Sequence, residues 1–204
     1  MPPRRAWPLA AALVLSLADS AASDGPAPRL LADFEGAPPR EEALARPPST
    51  ATARRIPDGG GFALEVSGRQ VPPGIAGVRV PFHDVKAAPA TFVDASRYDY
   101  LTFRIRATAG APRLMVKLAD AAGAVGDQAV DAGEVTRFLP QGLSAEWQQV
   151  AIPLGMLGLN RKALAALTLM VADPSDFAFA IDDVALKREP EDALPPPRRR
   201  RGVP

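Results

Sequence analysis

Two similar apolar runs, each interrupted by carboxylates, lie near opposite ends of this 204-residue chain. Residues 30–36 read Leu-Leu-Ala-Asp-Phe-Glu-Gly, and residues 177–186 read Phe-Ala-Phe-Ala-Ile-Asp-Asp-Val-Ala-Leu. An acidic group inside a buried strand is costly to desolvate unless a cation or a hydrogen-bond donor receives it. The two runs are therefore predicted to form neighbouring strands whose carboxylates share one receiver.

Between these runs, apolar and polar residues alternate in short segments. Residues 101–106 read Leu-Thr-Phe-Arg-Ile-Arg and residues 114–118 read Leu-Met-Val-Lys-Leu, the pattern of strands with one buried face. One short helix is expected over residues 160–166, with Asn160 as its N-cap. Many short strands with almost no helix predict an all-β fold, a two-sheet antiparallel β-sandwich of the jelly-roll kind. Further strands are predicted at residues 63–67, 76–82, 148–153 and 167–172.

The last run changes parity in its middle. Phe177, Phe179 and Ile181 share one face of a regular strand, whereas Val184 and Leu186 would lie on the other. One inserted residue, a β-bulge at Asp182-Asp183, would return all five apolar side chains to a single face. The pattern therefore predicts a bulge that turns a carboxylate sideways without disturbing the core.

The chain divides into an export signal, one domain and a basic tail. Residues 1–22 carry two arginines, an apolar stretch and small residues, which is typical of a secretory signal peptide too short to span a membrane. Residues 23–29 are interpreted as a linker, 30–187 as the β-sandwich domain and 188–204 as a disordered Pro/Arg-rich tail. Within the domain, residues 36–61 lack periodicity, which predicts a long irregular loop. The protein is expected to be exported, to the periplasm or the extracellular space.

Charge and composition restrict the partners and the chemistry. The formal net charge of +1 argues against a nucleic-acid binder, and no transmembrane span is expected after signal removal. The chain has no cysteine and one histidine, His83, so zinc sites and the common catalytic triads are not expected and no catalytic residue is assigned. Four consecutive arginines in the tail predict either a solvated end or contact with an anionic surface: Arg198, Arg199, Arg200 and Arg201.

Both terminal runs, together with residues 147–154 (Trp-Gln-Gln-Val-Ala-Ile-Pro-Leu), resemble the galactose-binding-like jelly rolls. The resemblance is to β-glucan-binding carbohydrate-binding modules of family eleven and, more distantly, to complex I intermediate-associated proteins, and it spans residues 30–187. It implies a sandwich whose first and last strands are adjacent, with a structural calcium near those ends in many members. The implied calcium ligands are Asp33, Glu35, Asp182 and Asp183; the alternative is that these acids cap loops or pair with surface cations.

The glycan site of the family is altered here. Sugar recognition uses aromatic faces and hydrogen-bonding side chains, but Val171 and Thr168 stand where relatives carry a tyrosine and a histidine. Trp147 is expected to pack in the core. The outward residues of two strands are expected to line one basic face, suited to an acidic polysaccharide. The candidate ligand-binding residues are Tyr98, Tyr100, Arg104, Arg106 and Lys117.

These observations predict an exported, non-catalytic binding module that recognises a polysaccharide. The alternative from a different class is an extracytoplasmic protein-interaction or assembly factor with a degenerate sugar site, whose partner would be an envelope protein. An exposed aromatic and basic face would favour sugar, whereas a continuous apolar patch would favour protein.

Overall fold

A computed structural model describes residues 25–35, 42–82, 91–125 and 128–191. These residues form eleven strands and one short helix, α1 (Ala121–Val125). The strands are β1 (Arg29–Ala32), β2 (Glu42–Arg46), β3 (Thr50–Asp58), β4 (Gly61–Gln70), β5 (Ile75–Pro81), β6 (Tyr100–Ala109), β7 (Leu114–Asp120), β8 (Val130–Glu134), β9 (Gln148–Pro153), β10 (Leu164–Val171) and β11 (Ser175–Lys187).

The strands form two sheets in which neighbours run antiparallel. The six-stranded sheet has the order β3-β4-β11-β6-β9, with β1 added against β11, and the five-stranded sheet has the order β2-β5-β10-β7-β8. Strand β1 pairs with the end of β11, with Arg29 opposite Leu186, beyond the point where β4 leaves that edge. The β-sandwich predicted from the sequence is confirmed, and the two terminal runs are neighbouring strands.

The inward faces of the two sheets form one core. Leu101, Phe103 and Ile105 of β6 are at most 1% exposed, and the apolar residues of β7 are equally buried. Each such side chain contributes about 2 kcal/mol when it leaves water. The predicted alternation therefore places these residues correctly, and the residues between them face outward.

The predicted bulge lies where the parity changes. Asp182 pairs with Arg104 and Ala185 pairs with Thr102, so β11 holds one residue more than β6 over this interval. Asp183 has a φ of 51°, in the left-handed region that side chains rarely adopt. The insertion keeps Val184 in the core and leaves both carboxylates at the surface of the sheet.

The predicted irregular loop over residues 36–61 is wrong where the structure describes it, because β2 and β3 lie there. Strand β3 forms a hairpin with β4 through Gly59 and Gly60, both with positive φ, as tight two-residue turns require. The sequence of β3 shows little alternation because its inward positions include the alanines Ala51 and Ala53, which differ little in hydrophobicity from their neighbours. Residues 36–41 lie outside the described part.

The predicted helix over residues 160–166 is wrong, because the segment forms one 3₁₀ turn and then enters a strand. The Asn160 side chain does accept a hydrogen bond from the backbone N–H of Lys162, at 3.1 Å. Only one 3₁₀ turn follows, Arg161–Ala163, and β10 begins at Leu164. Pairing of the apolar run with β5 and β7 outweighs local helix propensity.

Several sequence predictions fall outside the described residues. These are the signal peptide at 1–22, the histidine at 83 and the tail from 192 onward. In the ranges that the structure does describe, no helix is long and apolar enough to cross a membrane.

Candidate functional site

The two outer faces of the sandwich carry different arrangements of charge. On the six-stranded sheet, six side chains form a contact network that we call the Arg104 cluster. Its members are Asp58, Arg104, Arg106, Trp147, Asp182 and Asp183.

The guanidinium of Arg104 is the centre of this cluster. Its Nη2 donates to Oδ2 of Asp182 at 2.9 Å, and its Nε lies 2.9 Å from Oδ2 of Asp183. The bulge places the two carboxylates side by side, and the outward position of Arg104 on β6 brings its guanidinium to both. One cation thus neutralises two acids that are otherwise costly to hold at a sheet surface.

Trp147 lies over the cluster. Its ring is 4.9 Å from the guanidinium carbon of Arg104 and 4.7 Å from that of Arg106, and its indole N–H donates to Asp58 at 3.3 Å. Asp58 also lies 3.3 Å from Nη2 of Arg106. The expectation that Trp147 packs in the core is wrong: the ring is half-buried between two cations outside the core.

Asp182 is the buried acid of the cluster. Its side chain is 10% exposed. Burial, together with the negative charge of Asp183, raises the pKa of Asp182 from 3.8 to about 6, although the hydrogen bond from Arg104 opposes the rise. The carboxyl of Asp182 is thus able to change its charge in a mildly acidic solution.

The carboxylates of the first terminal run, Asp33 and Glu35, are not paired with Arg104, contrary to the expectation of a shared partner. Oε1 of Glu35 accepts the backbone N–H of Phe62 at 2.6 Å, and Oδ1 of Asp33 accepts the N–H of Glu35. Within the described ranges, no three acidic or histidine side chains are grouped so that they could hold a metal ion. The described residues do not fit the calcium site that the resemblance implies, since Arg104 supplies the cation beside Asp182 and Asp183. Calcium binding stays a prediction.

The outer face of the five-stranded sheet carries an open groove of about 320 Å³. One row of its lining consists of Arg79, Thr168 and Lys117, which are paired across β5, β10 and β7. The neighbouring row contains Gly77, where a Cβ atom would lie only 2.1 Å from the Leu169 carbonyl oxygen. The other large side chains that line the groove are Leu44, Arg46, Ile75 and Met170.

The three cations of the groove have no ion-pair partner among the described residues. None of Arg46, Arg79 and Lys117 forms an ion pair with a described carboxylate. Among the described residues that line the groove there is no carboxylate and no aromatic ring. The groove therefore presents positive charge, small residues and short apolar surfaces to a ligand.

The structure separates the five candidate ligand residues. Tyr98 is 8% exposed and its hydroxyl donates to the Ala27 carbonyl, so it belongs to the core. Tyr100, Arg104 and Arg106 lie on β6, whereas Lys117 lies in the groove on the other sheet. The expectation of one shared basic face is wrong because β6 and β7 belong to different sheets, so their outward residues point in opposite directions.

Sequence reasoning missed two cations of the groove. Arg79 could have been found, because Ala76, Val78 and Val80 face inward and leave residue 79 outward. Arg46 had no such signal, since β2 reads Glu-Ala-Leu-Ala-Arg, which is as compatible with a helix as with a strand.

The acidic residues at the end of β7 and in β8 have structural partners. Asp120 accepts three backbone N–H groups, and the one from Asn160 contributes most to lowering the pKa of Asp120. Glu134 pairs with Arg113, and Asp131 accepts the N–H of Gly133. These contacts hold turns and strand ends in place.

Comparisons with known proteins identify the fold. No family model matches the chain, and no curated protein matches it in sequence. The structure is similar to the family 11 carbohydrate-binding module of the cellulosomal cellulase Lic26A-Cel5E of Clostridium thermocellum, with a TM-score of 0.60 and 16% identity, covering 79% of this chain and 95% of the module. It is also similar to the family 30 module of the cellulase Cel9D-Cel44B of that organism, with a TM-score of 0.59 and 16% identity, covering 79% and 98%.

A third similar structure is part of a larger enzyme. The β-1,2-glucanase of Parabacteroides distasonis matches with a TM-score of 0.55 and 19% identity, covering 77% of this chain but 24% of the glucanase. At such identities the likeness concerns the fold and not the binding residues. The resemblance to family 11 modules inferred from the sequence is thus confirmed as a shared jelly-roll fold.

Proposed function

We propose that this protein is an exported, non-catalytic module that binds a polysaccharide in the groove of the five-stranded sheet. The observation that carries the proposal is the groove itself, an open groove of about 320 Å³ that crosses four strands and presents three cations and a threonine. A rigid sheet holds these groups at fixed spacing, as recognition of a repeating polymer requires. Export is supported by the N-terminal sequence.

The structural neighbours support the class of ligand. One solved family 11 module from Clostridium thermocellum is described in complex with a β-1,3-1,4-mixed-linked tetrasaccharide. No aromatic ring is among the residues that line the groove in the described ranges, so we expect polar contacts to contribute more than stacking on pyranose rings. A protein partner has less support, because Phe62 and Met156 are the large apolar side chains exposed in the described ranges and Phe62 lies under Arg55.

Affinity electrophoresis of the full chain against a panel of soluble neutral and acidic polysaccharides tests the proposal. Thr168→Glu should weaken binding by at least about tenfold, because the new carboxylate lies between Arg79 and Lys117 and closes the middle of the groove. Thr52→Glu is the control for the added charge, since it makes the same substitution at an exposed position of β3 on the other sheet. Because Thr168 is only 9% exposed, urea denaturation of both variants checks that each is folded. Retardation by no polysaccharide, or equal retardation of both variants, would contradict the proposal.

A further inference from the structure

We infer that the groove selects an anionic polysaccharide whose sugar rings carry carboxylates, and this inference rests on the proposed function of the same groove. The evidence is the difference between these cations and the paired arginines of the sandwich. Arg54, Arg104 and Arg113 each have a carboxylate partner in the described structure. Arg46 and Arg79 have none there, and the described residues that line their groove include no acid.

The nearest acids lie at the rim. Glu42 is opposite Arg79 on the edge strand β2, and Asp131 is opposite Lys117 on the edge strand β8. Asp131 already accepts the N–H of Gly133 at 2.7 Å. Neither acid is among the described residues that line the groove, so this lining carries positive side chains while the adjoining edge strands carry negative ones. Such an arrangement draws an anionic chain into the groove and disfavours its binding across the edges.

Spacing and burial fit a polymer with regularly placed charges. Arg79 and Lys117 are separated by one strand, so their Cα atoms are about 10 Å apart. Arg46 lies opposite Ile75, which is four positions before Arg79 on β5. Arg46 is therefore about 13 Å from Arg79 along the strand direction. Arg79 and Lys117 are half-buried, which strengthens a charge-assisted hydrogen bond relative to one in open water.

The side chains that line the groove favour a sugar with a carboxylate over a neutral sugar. A neutral ring gains most of its affinity from aromatic stacking, for which the described lining offers no ring. The planar guanidinium of Arg79 donates two parallel hydrogen bonds to a carboxylate, and Lys117 adds a point charge nearby. Leu44 and Met170 provide apolar surface for the C–H groups of the same ring.

The test compares one polymer before and after removal of its charge. Affinity of the full chain for polygalacturonate is measured by isothermal titration calorimetry, in parallel with the same polymer after chemical reduction of its carboxyl groups to alcohols. The variants are Arg79→Gln and Lys117→Gln. Arg69→Gln on the other sheet is the matched control, since Arg69 is an exposed arginine of β4 paired with Asp176. A further control replaces the four tail arginines at 198–201 with glutamine.

We expect polygalacturonate to bind at least tenfold more tightly than its reduced form. Each groove variant should lose about tenfold, while the Arg69 and tail variants should stay within about twofold. Equal affinity for the reduced polymer, for a sulfated galactan or for duplex DNA would overturn the inference, as would loss of binding in the tail variant alone. Binding to neutral polysaccharides only would overturn the inference but leave the proposed function standing, whereas binding to no polysaccharide would remove both.

Discussion

Arg104 and Arg79 both point outward from the middle of a sheet, but their surroundings differ. Arg104 has two carboxylates within 2.9 Å and an indole ring 4.9 Å away, so its charge is neutralised by the protein itself. Arg79 lies between Thr168 of β10 and Glu42 of β2, but it forms no ion pair with a described carboxylate. The comparison teaches that an outward arginine in a sandwich can serve stability or binding, and that its local partners decide which.

The largest expected effect follows from removal of Arg104. Arg104→Gln leaves Asp182 buried beside Asp183 without its cation, so the free energy of unfolding should fall by about 3 kcal/mol, at the lower end for a broken buried pair because Arg104 is partly exposed. Urea denaturation of the full chain measures this loss. Arg69→Gln, which breaks an exposed pair, should cost less than about 1 kcal/mol. Equal losses would show that the Arg104 cluster is not a special structural feature.

The pH dependence of the unfolding free energy tests the structural role of the Arg104 cluster. The pKa of Asp182 is about 6 in the folded protein and ordinary, near 3.8, in the unfolded chain. Between these values the unfolded state holds fewer protons, so stability due to this group falls as the pH rises from about 4 to about 6 and is constant above. The full shift corresponds to about 3 kcal/mol, and solvent screening of the Asp183 charge, whose side chain is 31% exposed, reduces it to about 2 kcal/mol.

Asp182→Asn isolates this contribution. The difference in unfolding free energy between the wild-type chain and this variant should fall across the same pH interval and level off above it. Urea titrations at several pH values provide the curve. A difference that rises with pH, or stays flat, would mean that the folded protein does not raise the pKa of Asp182.

Loss of a groove cation should leave stability almost unchanged. Arg79→Gln removes a charge with no described carboxylate partner, so the unfolding free energy should change by less than about 0.5 kcal/mol. The same urea measurement compares it with Arg104→Gln. A loss as large as that of the Arg104 variant would show that Arg79 holds the fold together, and the contrast between the two faces would fail.

Calcium is expected to have the smallest effect. Since a guanidinium already contacts Asp182 and Asp183, calcium should raise the melting temperature no more than magnesium at the same ionic strength. Differential scanning calorimetry makes the comparison. A calcium-specific rise that disappears in Asp182→Asn would restore the metal site predicted from the sequence.

Much of the sandwich could be predicted from local patterns. Apolar residues at alternate positions of β6 and β7 identify their buried faces, and the parity change at Asp182-Asp183 identifies the bulge. Strands β2 and β3 could not be found in the same way, because alanine, arginine and proline give no clear contrast between faces. Local patterns therefore identify strands only where buried side chains are large.

The candidate site was less accessible to prediction. Parity shows that Arg104 and Lys117 both face outward, but it does not say to which sheet each strand belongs. Sheet membership depends on pairing between distant segments, such as β10 with both β5 and β7. The same limit explains why the sequence pattern places Trp147 in the core, since its partners come from β6 and from the last residue of β3.

The pairing of β1 with the end of β11 has a mechanical consequence. Arg29, where β1 begins, lies opposite Leu186, one residue before β11 ends, so the two ends of the sandwich meet at one corner. A force that separates these ends acts along the direction of the hydrogen bonds and opens them one after another, as a zipper opens, instead of shearing all of them at once. Pulling on both ends of the sandwich would thus detach β1 at low force. A force applied to a ligand in the groove would instead act on β5, β10 and β7, which are paired with one another.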